Sequence, residues 1–144
     1  PGAGIERMRV GTPPVLQMAA LEAAMAVWDD VGMGEVHAQS LRLQDQFIKA
    51  VEARTRGLTL ATPRSHQMRG SQVSFRHPEG YAIMQALIAE GVIGDFRAPD
   101  ILRFGFTPLY LDEDDVARAV NVLVRILEYA TWDKPEFRAR SLVT

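Results

Sequence analysis

The hydrophobic period of this 144-residue chain changes at Gly57, and that change excludes both all-helical and all-strand folds. Upstream of it, Val36, Leu43, Phe47 and Val51 recur near helical spacing. Downstream, Leu58-Thr59-Leu60-Ala61-Thr62 and Gln72-Val73-Ser74-Phe75 alternate in the way half-buried strands do. Gly57 is suited to close the helix before it, because glycine readily adopts the left-handed backbone found just past a helix C-terminus.

The same reading extends in both directions. Thr12-Pro13-Pro14 reads as a helix start, with Thr12 able to cap free N–H groups and proline tolerated in the first turn. A helix is expected over residues 15–28, ended by Gly32 and Gly34, and a second over 35–56. Strands follow over 58–62 and 72–75, and the polar segment 63–70 between them reads as a mobile loop. A helix over 79–90 stops at Gly91. Two more strands, over 92–97 and 101–106, flank Ala98-Pro99-Asp100. A last helix starts in the acidic run Asp112-Glu113-Asp114-Asp115, which favours the positive helix N-terminus, and runs to Tyr129. The order α-α-β-β-α-β-β-α predicts an α+β fold, a small and mostly antiparallel sheet with helices packed on it. The length suits one core, so residues 1–144 are read as a single domain.

Composition narrows the function classes. The net charge is −2, which disfavours a partner held by phosphate neutralisation, so no nucleic acid is expected. The alternating aromatics of Arg103-Phe104-Gly105-Phe106 are those of an RNA-reading strand only superficially, since they face the expected core and have no second aromatic strand beside them. No apolar run reaches the ~20 residues of a membrane span, and no membrane partner is expected. Cysteine is absent, which removes disulfides, thiolate metal sites and a thiol nucleophile. The chain opens Pro1-Gly2-Ala3-Gly4, without Met, basic leader or apolar leader, and reads as a piece of a longer, cytoplasmic protein.

The three histidines, His37, His66 and His77, lack ligand spacing, so no metal is expected; His77, ahead of Pro78-Glu79, suits a helix entrance instead. The run at Asp112 lacks the glycine and terminal glutamate of a calcium loop. Among 16 basic residues only Lys49 and Lys134 are lysine. Arg103 is the arginine that stands out. Alternation places Leu102, Phe104 and Phe106 on one face and Arg103 and Gly105 on the other, so a mid-strand guanidinium lies beside open space. That arrangement can receive an anion, or can pair with an acidic neighbour.

The string Arg69-Gly70-Ser71-Gln72-Val73-Ser74-Phe75-Arg76-His77-Pro78-Glu79-Gly80-Tyr81 resembles a segment of bacterial kynureninases. So do the stretch from Gly94-Asp95-Phe96-Arg97 through Arg103-Phe104-Gly105-Phe106 to Thr107-Pro108-Leu109-Tyr110, and the opening Gly4-Ile5-Glu6-Arg7 with Gly11-Thr12-Pro13-Pro14. The resemblance implies the C-terminal small domain of a fold-type I pyridoxal-phosphate (PLP) enzyme, with residues 1–32 as connecting segment and helix from the large domain. It implies a homodimer that hydrolyses L-kynurenine to anthranilate and L-alanine, its cofactor held mainly by the large domain. The Schiff-base lysine would lie in that domain, so no catalytic residue is expected here and the chain alone should be inactive. By the same resemblance Arg103 would grip the substrate carboxylate, and Thr12 would contact the cofactor phosphate of the neighbouring subunit. The pair Gly11-Thr12 implies a preference for unsubstituted kynurenine, and the loop 63–70 would border the entrance. The alternatives are a non-catalytic module that binds an anion or amino acid, and the small domain of a related PLP enzyme with another substrate.

Overall fold

In the computed structural model, which describes residues 2–8 and 11–139, the chain forms two compact units, Pro1–Glu35 and Val36–Thr144. Pro1, where the sequence opens, lies outside the described residues. The first unit holds a 3-10 turn at Gly4–Met8, helix α1 at Val15–Met25 and a 3-10 turn at Ala26–Trp28. Helix α2, Met33–Arg54, starts in its last residues. The second unit continues with β1 (Thr59–Leu60), β2 (Gln72–Arg76), α3 (Gly80–Ala89), β3 (Asp95–Arg97), β4 (Ile101–Gly105), α4 (Glu113–Glu128) and α5 (Pro135–Arg138). The expected element order is present, in an α+β architecture.

The four strands form one antiparallel sheet in the order β1-β2-β4-β3. The long pair is β2 with β4, running from Gln72 opposite Gly105 to Arg76 opposite Ile101. Alternation sends Val73, Phe75, Leu102 and Phe104 into the core. There they meet Leu43, Phe47 and Val51 of α2, Ile83 and Leu87 of α3, and Val116, Val120, Leu123 and Ile126 of α4. Phe47 is the hub, with ring centroids 4.9 Å from Phe104, 5.4 Å from Phe106 and 6.1 Å from Phe75. None of the residues that alternate to the opposite face of β2, β3 and β4 is buried.

Several boundaries differ from the expectation for local reasons. Strand β1 is two residues long because the amides of both Ala61 and Thr62 donate to the Ser74 carbonyl, which ends the regular ladder as a bulge does. Strand β3 begins at Asp95 because the Val92 amide is spent closing α3 on the Leu87 carbonyl. Helix α5 is only four residues long, too short to leave a periodic signal. It is held by Arg138, which bonds Glu79 and Asp133 and lies over the Trp132 ring. At α4 the acidic run works as expected, through a capping box in which Asp112 and Asp115 satisfy each other's backbone amides.

The loop over 63–70 is not the free segment its polarity predicts. Arg64 bonds Glu52, and Arg69, its side chain 1% exposed, bonds Asp45 at 2.5 Å. His66 shares the same carboxylate at 2.7 Å. Buried Gln44 donates to the Gly70 carbonyl and to Ser40, whose hydroxyl donates to the Phe106 carbonyl. Helix α2 therefore clasps both the loop and the end of β4. Partial burial raises the Asp45 pKa, but the bonds and charges of Arg69 and His66 outweigh it, and the carboxyl titrates below its ordinary value.

Phe47→Ala should lower unfolding stability by about 3–5 kcal/mol, as read by denaturant titration, because the cavity would sit among three rings. Asp45→Asn should lower the melting temperature most at neutral pH. A carboxylate with a depressed folded pKa stabilises above its unfolded pKa, so the gap between Asp45→Asn and the parent should close as pH falls below about 4.

Candidate functional site

Arg103 occupies the middle of β4, an interior strand, opposite Ser74 on β2 and Asp95 on β3. Its neighbours Leu102 and Phe104 are buried, so the guanidinium is forced to the other face. The side chain is 28% exposed and its terminal Nη2 is ion-paired with the Asp95 carboxylate. Its Nε is buried with no hydrogen-bond partner. Gly105 follows on the same face, and a Cβ built there would meet nothing within 4 Å. Both sequence expectations are thus visible together: the arginine has open space beside it, and it is paired with an acid. Asp95 was not legible as that partner, because the register of β3 against β4 leaves no mark in the sequence.

Such an arginine presents donors in a planar fork, of which a single carboxylate contact occupies only part. An incoming carboxylate could use the remainder. Ser74, opposite Arg103, accepts from Gln72 at 3.0 Å through its hydroxyl, which keeps its own O–H donor.

Thr12 belongs to the first unit. It does not cap α1: the N-cap residue is Pro14, with no side-chain cap bond, and the Thr12 hydroxyl makes no hydrogen bond among the described residues. Proline at the cap position leaves first-turn N–H groups free, and an uncommitted hydroxyl stands two residues before that proline. Hydroxyl and free amides are the donor set a phosphate takes.

The remaining candidates recede. Among the described residues no group of three or more His, Asp or Glu side chains could hold a metal. His77 sits at the entrance of α3, where its Nδ1 accepts from the Glu79 amide at 3.0 Å. Burial lowers its pKa, against the opposing charge of Glu79, so the acceptor form is favoured. Lys49 and Lys134 are both exposed, unlike a lysine desolvated for imine chemistry. A cavity of about 340 Å³ lies at the end of the sheet between Phe47, Val92, Phe104, Leu111 and Val116. Its rim charges are paired, Glu90 with Arg125 and Asp115 with Arg118, which also lines the cavity. No described helix is long and apolar enough to cross a membrane.

Comparison with known proteins adds a specific likeness. A family model for the kynureninase C-terminal domain matches residues 36–123, starting at the first residue of the second unit. Kynureninases of Burkholderia mallei and Burkholderia pseudomallei are each 50% identical over 146 aligned positions, and that of Pseudomonas fluorescens is 49% identical. Each alignment covers all of this chain and 35% of the relative, so the chain spans about a third of the length of the curated relatives it matches.

Proposed function

The chain belongs to the kynureninase family, and from that premise we propose that it is the C-terminal portion of a PLP-dependent hydrolase that converts L-kynurenine to anthranilate and L-alanine. The observation that carries the reading is Arg103, held on the sheet face away from the core with open space at Gly105 beside it, in a segment shared with the family. Its role is to bind the substrate α-carboxylate. A two-pronged grip fixes the rotation of the substrate about its Cα, and so determines which Cα bond is aligned for cleavage.

The cofactor, when bound, supplies the electron sink for bond cleavage at the substrate. Thr12 fits its phosphate, because a free hydroxyl ahead of a helix N-terminus is an anion donor set. We assign Thr12 to the phosphate bound by a neighbouring subunit, which makes the enzyme a homodimer. Residues 1–32 act as the connecting segment and helix that join the large domain. Support comes from α1, whose Val15, Leu16, Met18, Leu21 and Met25 are all exposed here and need an apolar partner. The lysine that binds the cofactor belongs to the remaining length of the enzyme, in keeping with the exposure of Lys49 and Lys134. By the likeness to bacterial members of the family, the pair Gly11-Thr12 favours unsubstituted kynurenine.

The deciding experiment measures anthranilate release from L-kynurenine by the full-length enzyme with added PLP, beside the 144-residue chain. Activity in the former and none in the latter is expected. Bound PLP without anthranilate release would assign the site to a different amino acid. Arg103→Lys should raise KM about 10- to 100-fold, the worth of a charge-assisted bond that a lysine cannot duplicate. Thr12→Ala should weaken PLP retention about 2- to 10-fold, followed by cofactor absorbance during dialysis.

A further inference from the structure

We propose that Asp95 is a positioning residue for the Arg103 guanidinium, presenting its free donors to the incoming carboxylate. The inference rests on the reading of Arg103 as the carboxylate-binding residue. Asp95 is the first residue of β3 and lies directly across the ladder from Arg103. Its carboxylate engages one terminal nitrogen, Nη2, while Nε has no partner and Nη1 makes no hydrogen bond among the described residues. The buried Nε is out of a ligand's reach, so a single anchored corner leaves the remaining N–H groups of the two terminal nitrogens available.

The placement of Asp95 is built into the backbone. Gly94, immediately before it, approaches β4 so closely that a Cβ would lie 2.8 Å from the Arg103 carbonyl oxygen and 2.7 Å from Met84 Cε. The first of these is main chain and cannot give way cheaply, whereas the second is the flexible end of a methionine, so the Arg103 carbonyl is what forbids a side chain here. Glycine at 94 is therefore what lets β3 begin beside Arg103 and not further along the chain.

The ion pair contributes little to folding. The Asp95 side chain is 57% exposed, and solvent screens a pair of that kind. Its effect is on order: an arginine loses considerable rotamer freedom on binding a ligand, and one already held by Asp95 has lost part of that freedom in advance. The same screening weakens the repulsion between Asp95 and the substrate carboxylate. Removal of Asp95 therefore loses more by disordering the guanidinium than it gains by removing a negative charge.

The test is made in the full-length holoenzyme with Asp95→Ala, Asp95→Ser, Asp95→Asn and Arg103→Lys. Asp95→Ala should raise KM for L-kynurenine about five- to tenfold with kcat changed less than twofold, and Asp95→Ser, the second truncation, should do the same. Asp95→Asn, which keeps an acceptor oxygen at the same reach, should restore most of the loss. Inhibition by the α-carboxamide of kynurenine, which lacks the charged group, should be unaffected by any Asp95 substitution. An unchanged KM in Asp95→Ala and Asp95→Ser beside a raised KM in Arg103→Lys would leave Arg103 in its role and overturn the inference. An equal loss for substrate and carboxamide would also overturn it, by marking Asp95 as merely structural. An unchanged KM in Arg103→Lys would remove the premise and the inference together.

Discussion

The burial of Leu102 and Phe104 on either side of Arg103 is the constraint from which the direction of that arginine follows. Strand geometry alternates side chains without exception over a regular run, so two core anchors fix the direction of the residue between them. Phe104 is held in turn by Phe47 of α2, whose ring also meets Phe106. A guanidinium in this position needs no loop to present it. It stands on an interior strand, between two hydrogen-bonded neighbours, which is among the stiffest supports a small domain offers.

Much of this was legible from periodicity. Helix α4, β2, β4 and the face carrying Arg103 and Gly105 could be read directly, because each is a regular run with a buried side. What escaped the sequence depends on pairings between distant residues. The early end of β1 comes from two amides sharing the Ser74 carbonyl, and the late start of β3 from the closure of α3. The loop over 63–70 reads as polar and free, yet Arg69 is buried against α2 by Asp45. At the site the same distinction holds. The direction of Arg103 is a property of its own strand, whereas its pairing with Asp95 is a property of register. Thr12 shows the converse error: its residue type suits a cap, but Pro14 takes the position and leaves the hydroxyl uncommitted.

The first unit illustrates how a sequence can be consistent with a larger assembly while being incomplete by itself. A helix of composition Val-Leu-Gln-Met-Ala-Ala-Leu-Glu-Ala-Ala-Met has almost no polar face, and none of its residues is buried here. Such a helix is stable when surrounded on most sides. The relatives, nearly three times as long by the covered share, have the additional chain with which to surround it.

The sheet's two edges carry a different consequence. Strand β1 offers two residues and β3 three, and each is followed within two or three positions by proline, at Pro63 and Pro99. Edges this short give an incoming strand little ladder to extend, and proline has no amide with which to continue it. Exposed apolar surface usually invites indiscriminate clumping, and α1 has plenty. Here the strands are poor templates for fibril growth, so association led by α1 would find no sheet edge to extend.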